Sequence, residues 1–269
     1  VLDAEMESTN AASDAVMADY FDLMRGFLSQ QETFFSSSVL SESQVEADTE
    51  YTEATPFPFL SDILEHTEQH LRARCELNVY QDKFLQDHIL SGTVSEHDSA
   101  RMGLSCVPMM VSLEIMAEAV AALTGNVAIT TIENVKSYDW IALDDMSIEL
   151  DVSAQALEGD NGRFSAAIHS QGALIVEAEL TLGAAMTQPR LPDLGAANGY
   201  RWGNDELYST GMFHGPIFQS MQGIDGWNDQ GIDASLSAVS LQGFFTEGER
   251  ANLVLNPVLL DALGQLAAY

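Results

Sequence analysis

His88 and Asp261 are the residues of this sequence whose types and settings suit proton transfer, and a third run, around His214, could support them. His88 stands in the run Asp87-His88-Ile89-Leu90-Ser91-Gly92. Histidine exchanges protons near neutral pH and can act as acid or base. Gly92, four residues on, allows a backbone to approach a ligand closely at the entry to a loop. Taken alone, such a histidine is more often a structural or solvated residue. His214 opens the run His214-Gly215-Pro216-Ile217-Phe218-Gln219, preceded by Phe213. Gly215-Pro216 between aromatics predicts a turn that buries its flanks. Asp261 lies in the apolar stretch Asn256-Pro257-Val258-Leu259-Leu260-Asp261-Ala262-Leu263-Gly264-Gln265. On a helix, Gln265 shares its face. In apolar surroundings the charged form of the carboxyl is disfavoured, which raises its pKa and prepares it to give a proton. A place on the wet face of the helix is the alternative.

These residues need elements to carry them. Residues 14–40 read as an amphipathic helix with Met17, Tyr20, Phe21, Met24, Phe27 and Leu28 at helical spacing. Residues 36–55 turn to Ser, Glu, Thr and Asp, the composition of a tether. The folded body is expected from Phe57. Ser61 to Arg74 reads as helical. Residues 74–81 alternate, with Cys75, Leu77 and Val79 on one side, as in a half-buried strand. His88 is expected in a loop after it. Met109 to Thr124 reads as a helix with Pro108 before it and Gly125 after it. Strands are expected at 126–135, 146–156, 163–169 and 172–182, with a turn at Gly159–Gly162. A Pro-, Gly- and Ala-rich connector at 187–198 follows. Beyond it come a short helix (Asp205 to Thr210), strands at 218–228 and 231–240, and a last helix capped by Asn256 with Pro257 in its first turn. One long helix with a sheet, twice over, is an α+β layout.

The order of the three motifs resembles that of dehydratase domains of type I polyketide synthases. Those domains carry His-x-x-x-Gly early, Tyr-Gly-Pro-x-Phe past the middle and Asp-x-x-x-Gln/His on a late helix. The matching positions here are His88 to Gly92, His214 to Phe218 and Asp261 to Gln265. The resemblance spans about residues 57–269. Phe84-Leu85-Gln86-Asp87-His88 and Ser112-Leu113-Glu114-Ile115-Met116-Ala117-Glu118-Ala119 look most like iterative synthases of the polyunsaturated-fatty-acid, enediyne and glycolipid type. Residues 16–40 resemble the helical connector between domains of such synthases. Two positions depart from the pattern: His97 stands where a proline is frequent, and His214 stands where the tyrosine is found.

The resemblance implies a double hotdog, in which two long helices are each wrapped by an antiparallel sheet and a helical linker precedes them. It divides the chain into 1–56 (connector and acidic linker), 57–190 (N-terminal hotdog) and 191–269 (C-terminal hotdog, with further family strands expected beyond it). It implies dehydration of a β-hydroxyacyl thioester carried on the phosphopantetheine arm of an acyl carrier protein. His88 would be the base and Asp261 the acid. Gln265 would orient Asp261, and His214, Gly215 and Pro216 would support the site. A backbone N–H near Gly92 or Gly215 would steady the enolate oxygen. No cofactor or metal is implied for the domain itself. Implied partners are the carrier protein, neighbouring synthase domains and, as one option, a second copy of the chain. A non-catalytic acyl-binding hotdog, or one that directs cyclisation or isomerisation, is the alternative.

Other residues and the whole composition narrow the field. His66 and His70 fall four apart on the helix expected at 61–74, but the pattern is not His-Glu-x-x-His and no third ligand is evident. Cys106 reads as a core thiol. Met109, Met110 and Met116 are core filler or the lining of an acyl tunnel. The 269 residues carry 41 acidic and 10 basic side chains, a formal charge of −31. That excludes a nucleic-acid surface and an anionic membrane face. A basic patch around Arg201 or Arg163 is the one local exception considered. No apolar run approaches the roughly 18 residues of a membrane span, and the start of the sequence has no signal pattern. Two cysteines form no framework, so a reduced, cytoplasmic setting is expected.

Overall fold

The structure is a computed structural model. It describes residues 57–94, 102–159, 162–184, 194–195, 197–199, 207–208, 212–237, 243–245 and 253–267. The helix read at 14–40, the tether that follows it, His97, Arg201 and most of the 187–198 connector lie outside these residues. So does the helix expected at 205–210, apart from Leu207 and Tyr208.

The first strands are β1 (Asp62–His66) and β2 (His70–Asn78), an antiparallel hairpin. This corrects the helix expected over 61–74. The turn is made by Thr67, whose Oγ1 accepts the N–H groups of Gln69 (3.4 Å) and His70 (3.0 Å). A hydroxyl that satisfies the backbone locally competes with helix. Two-residue alternation begins at His70 rather than at Arg74: Leu71, Ala73, Cys75 and Leu77 are buried and their neighbours are not. Ile63 and Leu64 are half-exposed on the edge strand. His66 and His70 sit on opposite sides of the turn.

Next come β3 (Ile89–Val94), β4 (Met102–Cys106), helix α1 (Met109–Thr124), β5 (Ile129–Ser137), β6 (Ala142–Leu143), β7 (Ser147–Ala156), β8 (Arg163–Ser170) and β9 (Ala173–Leu182). Six strands form one antiparallel sheet in the order β1-β2-β7-β8-β9-β5. β3, β4 and β6 form a second, three-stranded sheet.

α1 begins after Pro108 and ends at Gly125, which takes the left-handed conformation (φ 67°) and closes the last turn on the Ala121 carbonyl. The helix is apolar on every side, and Met110 to Ala121 is buried throughout. A helix of that kind must be covered on all faces. The inner face of the six-stranded sheet covers one side through Leu77, Leu150, Val152, Ile168, Val176 and Leu180. The other side meets the last helix.

The second half contributes β10 (Met221–Asn228), paired with β11 (Gly231–Leu236), and helix α2 (Pro257–Ala267). A small cluster of Leu207, Met221 and Ile224 lies under this hairpin. Asn256 caps α2 as expected: its Oδ1 accepts the Leu259 N–H at 3.1 Å. Val258 and Ala262 bury one face of α2, and Val258 joins the main core. No helix of the described residues is long and apolar enough to cross a membrane.

Candidate active site

His88 stands between a 3-10 turn (Lys83–Gln86) and β3. Phe84 and Leu85 of that turn are buried and anchor the approach. The histidine is not in an open loop. Its carbonyl accepts the Cys106 N–H (3.1 Å), and its Nδ1 lies 2.8 Å from the Cys106 carbonyl oxygen. A carbonyl only accepts, so Nδ1 carries the hydrogen and Nε2 holds the free lone pair. His88 is 2 % exposed, and burial pushes its pKa down to about 4.

The second motif arrives from the other half and docks beside the first. His88 and His214 form an antiparallel bridge. Gly215 N–H donates to the Asp87 carbonyl (2.7 Å), and Asp87 Oδ2 accepts the Ile217 N–H (2.7 Å). A Cβ on Gly215 would lie 2.5 Å from Asp87 Oδ1 and 2.8 Å from its Cα. Close approach therefore demands the glycine. The turn that follows, Pro216–Phe218, buries Phe218 completely, which matches the packed turn read from the sequence.

Asp261 comes from the buried face of α2, not its wet face, at 9 % exposure. Burial raises its pKa to about 6, against the opposing effect of the Gln265 hydrogen bond. Gln265 Nε2 donates to Asp261 Oδ2 (2.8 Å) and to the Phe218 carbonyl (3.1 Å). Its Oε1 accepts from the Tyr208 hydroxyl (3.1 Å), which in turn accepts the Met221 N–H (3.1 Å). These bonds fix which way the amide faces.

His214 Nε2 lies 3.3 Å from Asp261 Oδ2. Burial, and then the charge of His88, push the His214 pKa down to about 3. Its contact with Asp261 is therefore that of a neutral imidazole rather than of an imidazolium. Phe213 stacks on His214 at 4.2 Å and meets the edge of His88 at 5.0 Å, while remaining 39 % exposed. It forms the solvent side of the cluster.

The structure thus brings together His88, His214, Gly215, Pro216, Asp261 and Gln265. Gly92 lies further along β3, where pairing with β4 slips register between Leu90 and Val94. Of the two places, near Gly92 or Gly215, where an oxyanion donor was expected, Gly215 has its own N–H engaged by the Asp87 carbonyl. Met110 and Met116 pack in the main core. Sequence reasoning missed the bracing of the second motif by Asp87, of His88 by the Cys106 carbonyl and of Gln265 by Tyr208. Only Asp87 left a signal, being adjacent to His88. It also missed Glu114 and Glu118, buried polar residues on an apolar helix. Glu114 accepts the Val254 and Leu255 N–H groups (2.7 and 2.6 Å), and Glu118 accepts that of Phe59 (2.9 Å). They tie α1 to the start of the body and to the segment leading into α2.

No family model matches the sequence, and no curated protein does. Solved structures do. The dehydratase domain of a mycocerosic acid synthase-like polyketide synthase is 18% identical, with a TM-score of 0.57 over 81% of this chain and 74% of that one. The dehydratase domain from the CurF module of curacin polyketide synthase is 16% identical, with a TM-score of 0.57 over 81% and 77%. A trans-AT polyketide-synthase dehydratase domain from Brevibacillus brevis is 21% identical, with a TM-score of 0.56 over 78% and 77%. The chain therefore has the α+β fold of polyketide-synthase dehydratase domains.

Proposed function

We propose that the chain dehydrates a β-hydroxyacyl thioester, presented on the phosphopantetheine of an acyl carrier protein, to the α,β-unsaturated thioester. The observation that carries this reading is the facing pair from two halves of the fold. One is a buried histidine with its Nε2 lone pair free, the other a buried carboxyl pushed towards its protonated form. Loss of water from such a thioester needs one proton removed and one supplied. His88 Nε2 takes the α proton. Asp261 gives a proton to the β-hydroxyl, which leaves as water. Asp261 Oδ2 already accepts from Gln265 and lies beside His214, so the proton given is the one on Oδ1. The imidazolium and carboxylate that result return to their starting forms by passing one proton back. Neither transfer calls for electron transfer.

The fold shared with polyketide-synthase dehydratase domains supports the same reading. So does the arrangement of α2 against α1, which we read as the second hotdog set on the first. Neighbouring synthase domains would hold the carrier near the site and lend it an effective concentration on the order of millimolar.

The test is mass spectrometry of the protein with β-hydroxyacyl pantetheine thioesters of several chain lengths. The expected result is loss of one water with the unaltered chain and at least about a hundredfold slower loss with His88→Ala. Binding of every thioester without loss of water would make the chain an acyl-binding module instead.

A further inference from the structure

His88, His214 and Asp261 each present one ligand atom, and these three atoms lie within 4.8 Å of one another. All three residues are buried. The proton-transfer reading uses two of them as a pair and leaves the third as a neighbour. As a set they have a second property. Two imidazoles and one carboxylate are the donor types that divalent zinc, cobalt and nickel accept.

The supporting shell is also that of a ligand set. Metal-bound histidines commonly donate their other ring N–H to a carbonyl, and metal-bound carboxylates are commonly held by a further hydrogen bond. His88 Nδ1–H is held by the Cys106 carbonyl, which aims Nε2 into the cluster. Gln265 holds Asp261, and the Phe218 carbonyl and Tyr208 hold Gln265. His214 Nε2 and Asp261 Oδ2 are 3.3 Å apart. Two ligands on a tetrahedral zinc, with bonds of about 2.0–2.1 Å, are separated by about that distance. His214 Nδ1 is buried with no hydrogen-bond partner among the described residues, so no hydrogen bond at that nitrogen opposes the small turn of the ring that would complete the set.

We propose that His88, His214 and Asp261 form a three-ligand site for a divalent cation of the zinc class, with a fourth position open to water or to a substrate oxygen. The ion and the α proton compete for the same lone pair on His88 Nε2. Zinc bound here therefore blocks dehydration. The site does not depend on the dehydratase reading, because the three donors and their supports exist whether or not a thioester is turned over.

The probe is Co2+, whose visible absorption reports its coordination. The full chain, freed of metal by a chelator and dialysis, is titrated with Co2+ without substrate. One equivalent is expected to bind with the spectrum of a four-coordinate ion. Zn2+ should displace it, and Mg2+, which prefers oxygen ligands, should not. His214→Tyr and His88→Gln should each weaken Co2+ binding at least about tenfold, since even losing a supporting group costs that much. His70→Gln, far from the site on the β1–β2 hairpin, should bind as the parent does. Circular dichroism checks that each variant is folded; if either His variant is not, Asp261→Asn is read in its place. Absence of Co2+ uptake, undiminished uptake by His214→Tyr, or loss of uptake in His70→Gln would overturn the site. A chain that binds Co2+ but spares every thioester sinks only the dehydratase reading. A chain that dehydrates but takes up no Co2+ sinks only this one.

Discussion

At the scale of single residues, the site depends on groups that hold other groups. His88 presents Nε2 to the cluster because the Cys106 carbonyl occupies Nδ1. Asp261 keeps its place because Gln265 bridges it to the Phe218 carbonyl in the neighbouring turn. Asp261→Asn keeps the size and the hydrogen-bonding shape of the carboxyl but offers no transferable acid proton. It should lower kcat on a β-hydroxyacyl thioester at least about a hundredfold. In the proposed reaction His88 and Asp261 work on one substrate, so His88→Ala combined with Asp261→Asn should cost less than the product of the single losses. Steady-state kinetics of the four proteins decide this. Losses that multiply would mean two independent residues, and the paired assignment would fall.

Among the elements, α1 does more than fill the core. Glu114 and Glu118 are one helical turn apart, both fully buried, and each hydrogen-bonds backbone N–H groups of a distant segment. Glu114 thereby fixes the chain just ahead of α2, the helix that brings Asp261. Burial raises both carboxyls; Glu118 is pushed up to about 10, with the charge of Glu114 adding to the effect, and Glu114 to about 7. The folded pair therefore holds protons that an unfolded chain releases near the ordinary value of 4.5. Between that value and about 10 the native state binds more protons, so stability must fall as pH rises. Urea unfolding at about pH 6 and about pH 9 should show the loss. Glu118→Gln, a permanent stand-in for the protonated acid, should flatten the dependence while leaving the Phe59 N–H an acceptor. A slope unchanged by this substitution would show that the pair is not its source.

For the molecule as a whole, the charge of −31 is distributed unevenly. Residues 1–56 hold 12 acidic side chains and one basic one, Arg25. In the body, cations on the outer face of the six-stranded sheet are matched by acids: Arg74 with Glu149 (3.2 Å), Lys136 with Glu177 (2.9 Å) and Arg163 with Glu179. Exposed pairs of this kind contribute little to stability. They do cancel the positive patch considered around Arg163. Among the described residues the main core draws on Phe59 to Val258, and residues 36–55 of the acidic segment have the composition of a tether. Deleting residues 1–56 should therefore shift the Tm by no more than about 3 °C, within what a change below 1 kcal/mol produces in a domain of this size. A larger fall in a thermal melt would place part of that segment in the core.

The sequence by itself determined the local features. Pro108 and Gly125 bounded α1, Asn256 and Pro257 began α2, and the β-rich runs at 146–156, 163–169 and 172–182 marked three strands of the sheet, observed at Ser147–Ala156, Arg163–Ser170 and Ala173–Leu182. These are set by neighbours a few residues apart, so a short window contains them. His88, His214, Asp261 and Gln265 were legible for the same reason, as proton-moving or amide groups in apolar runs. The hairpin at β1–β2 was not, because its turn is set by one hydroxyl and β2 pairs on its other side with β7, between His70↔Gln155 and Asn78↔Ser147, far along the chain. Tertiary structure alone decided that His214 would lie 3.3 Å from Asp261, that Cys106 would choose the tautomer of His88, and that Gly215 would spend its N–H on Asp87. Each is a contact between segments far apart in the chain, fixed by how two helices and their sheets pack, and packing is a property of the closed core rather than of any stretch that builds it.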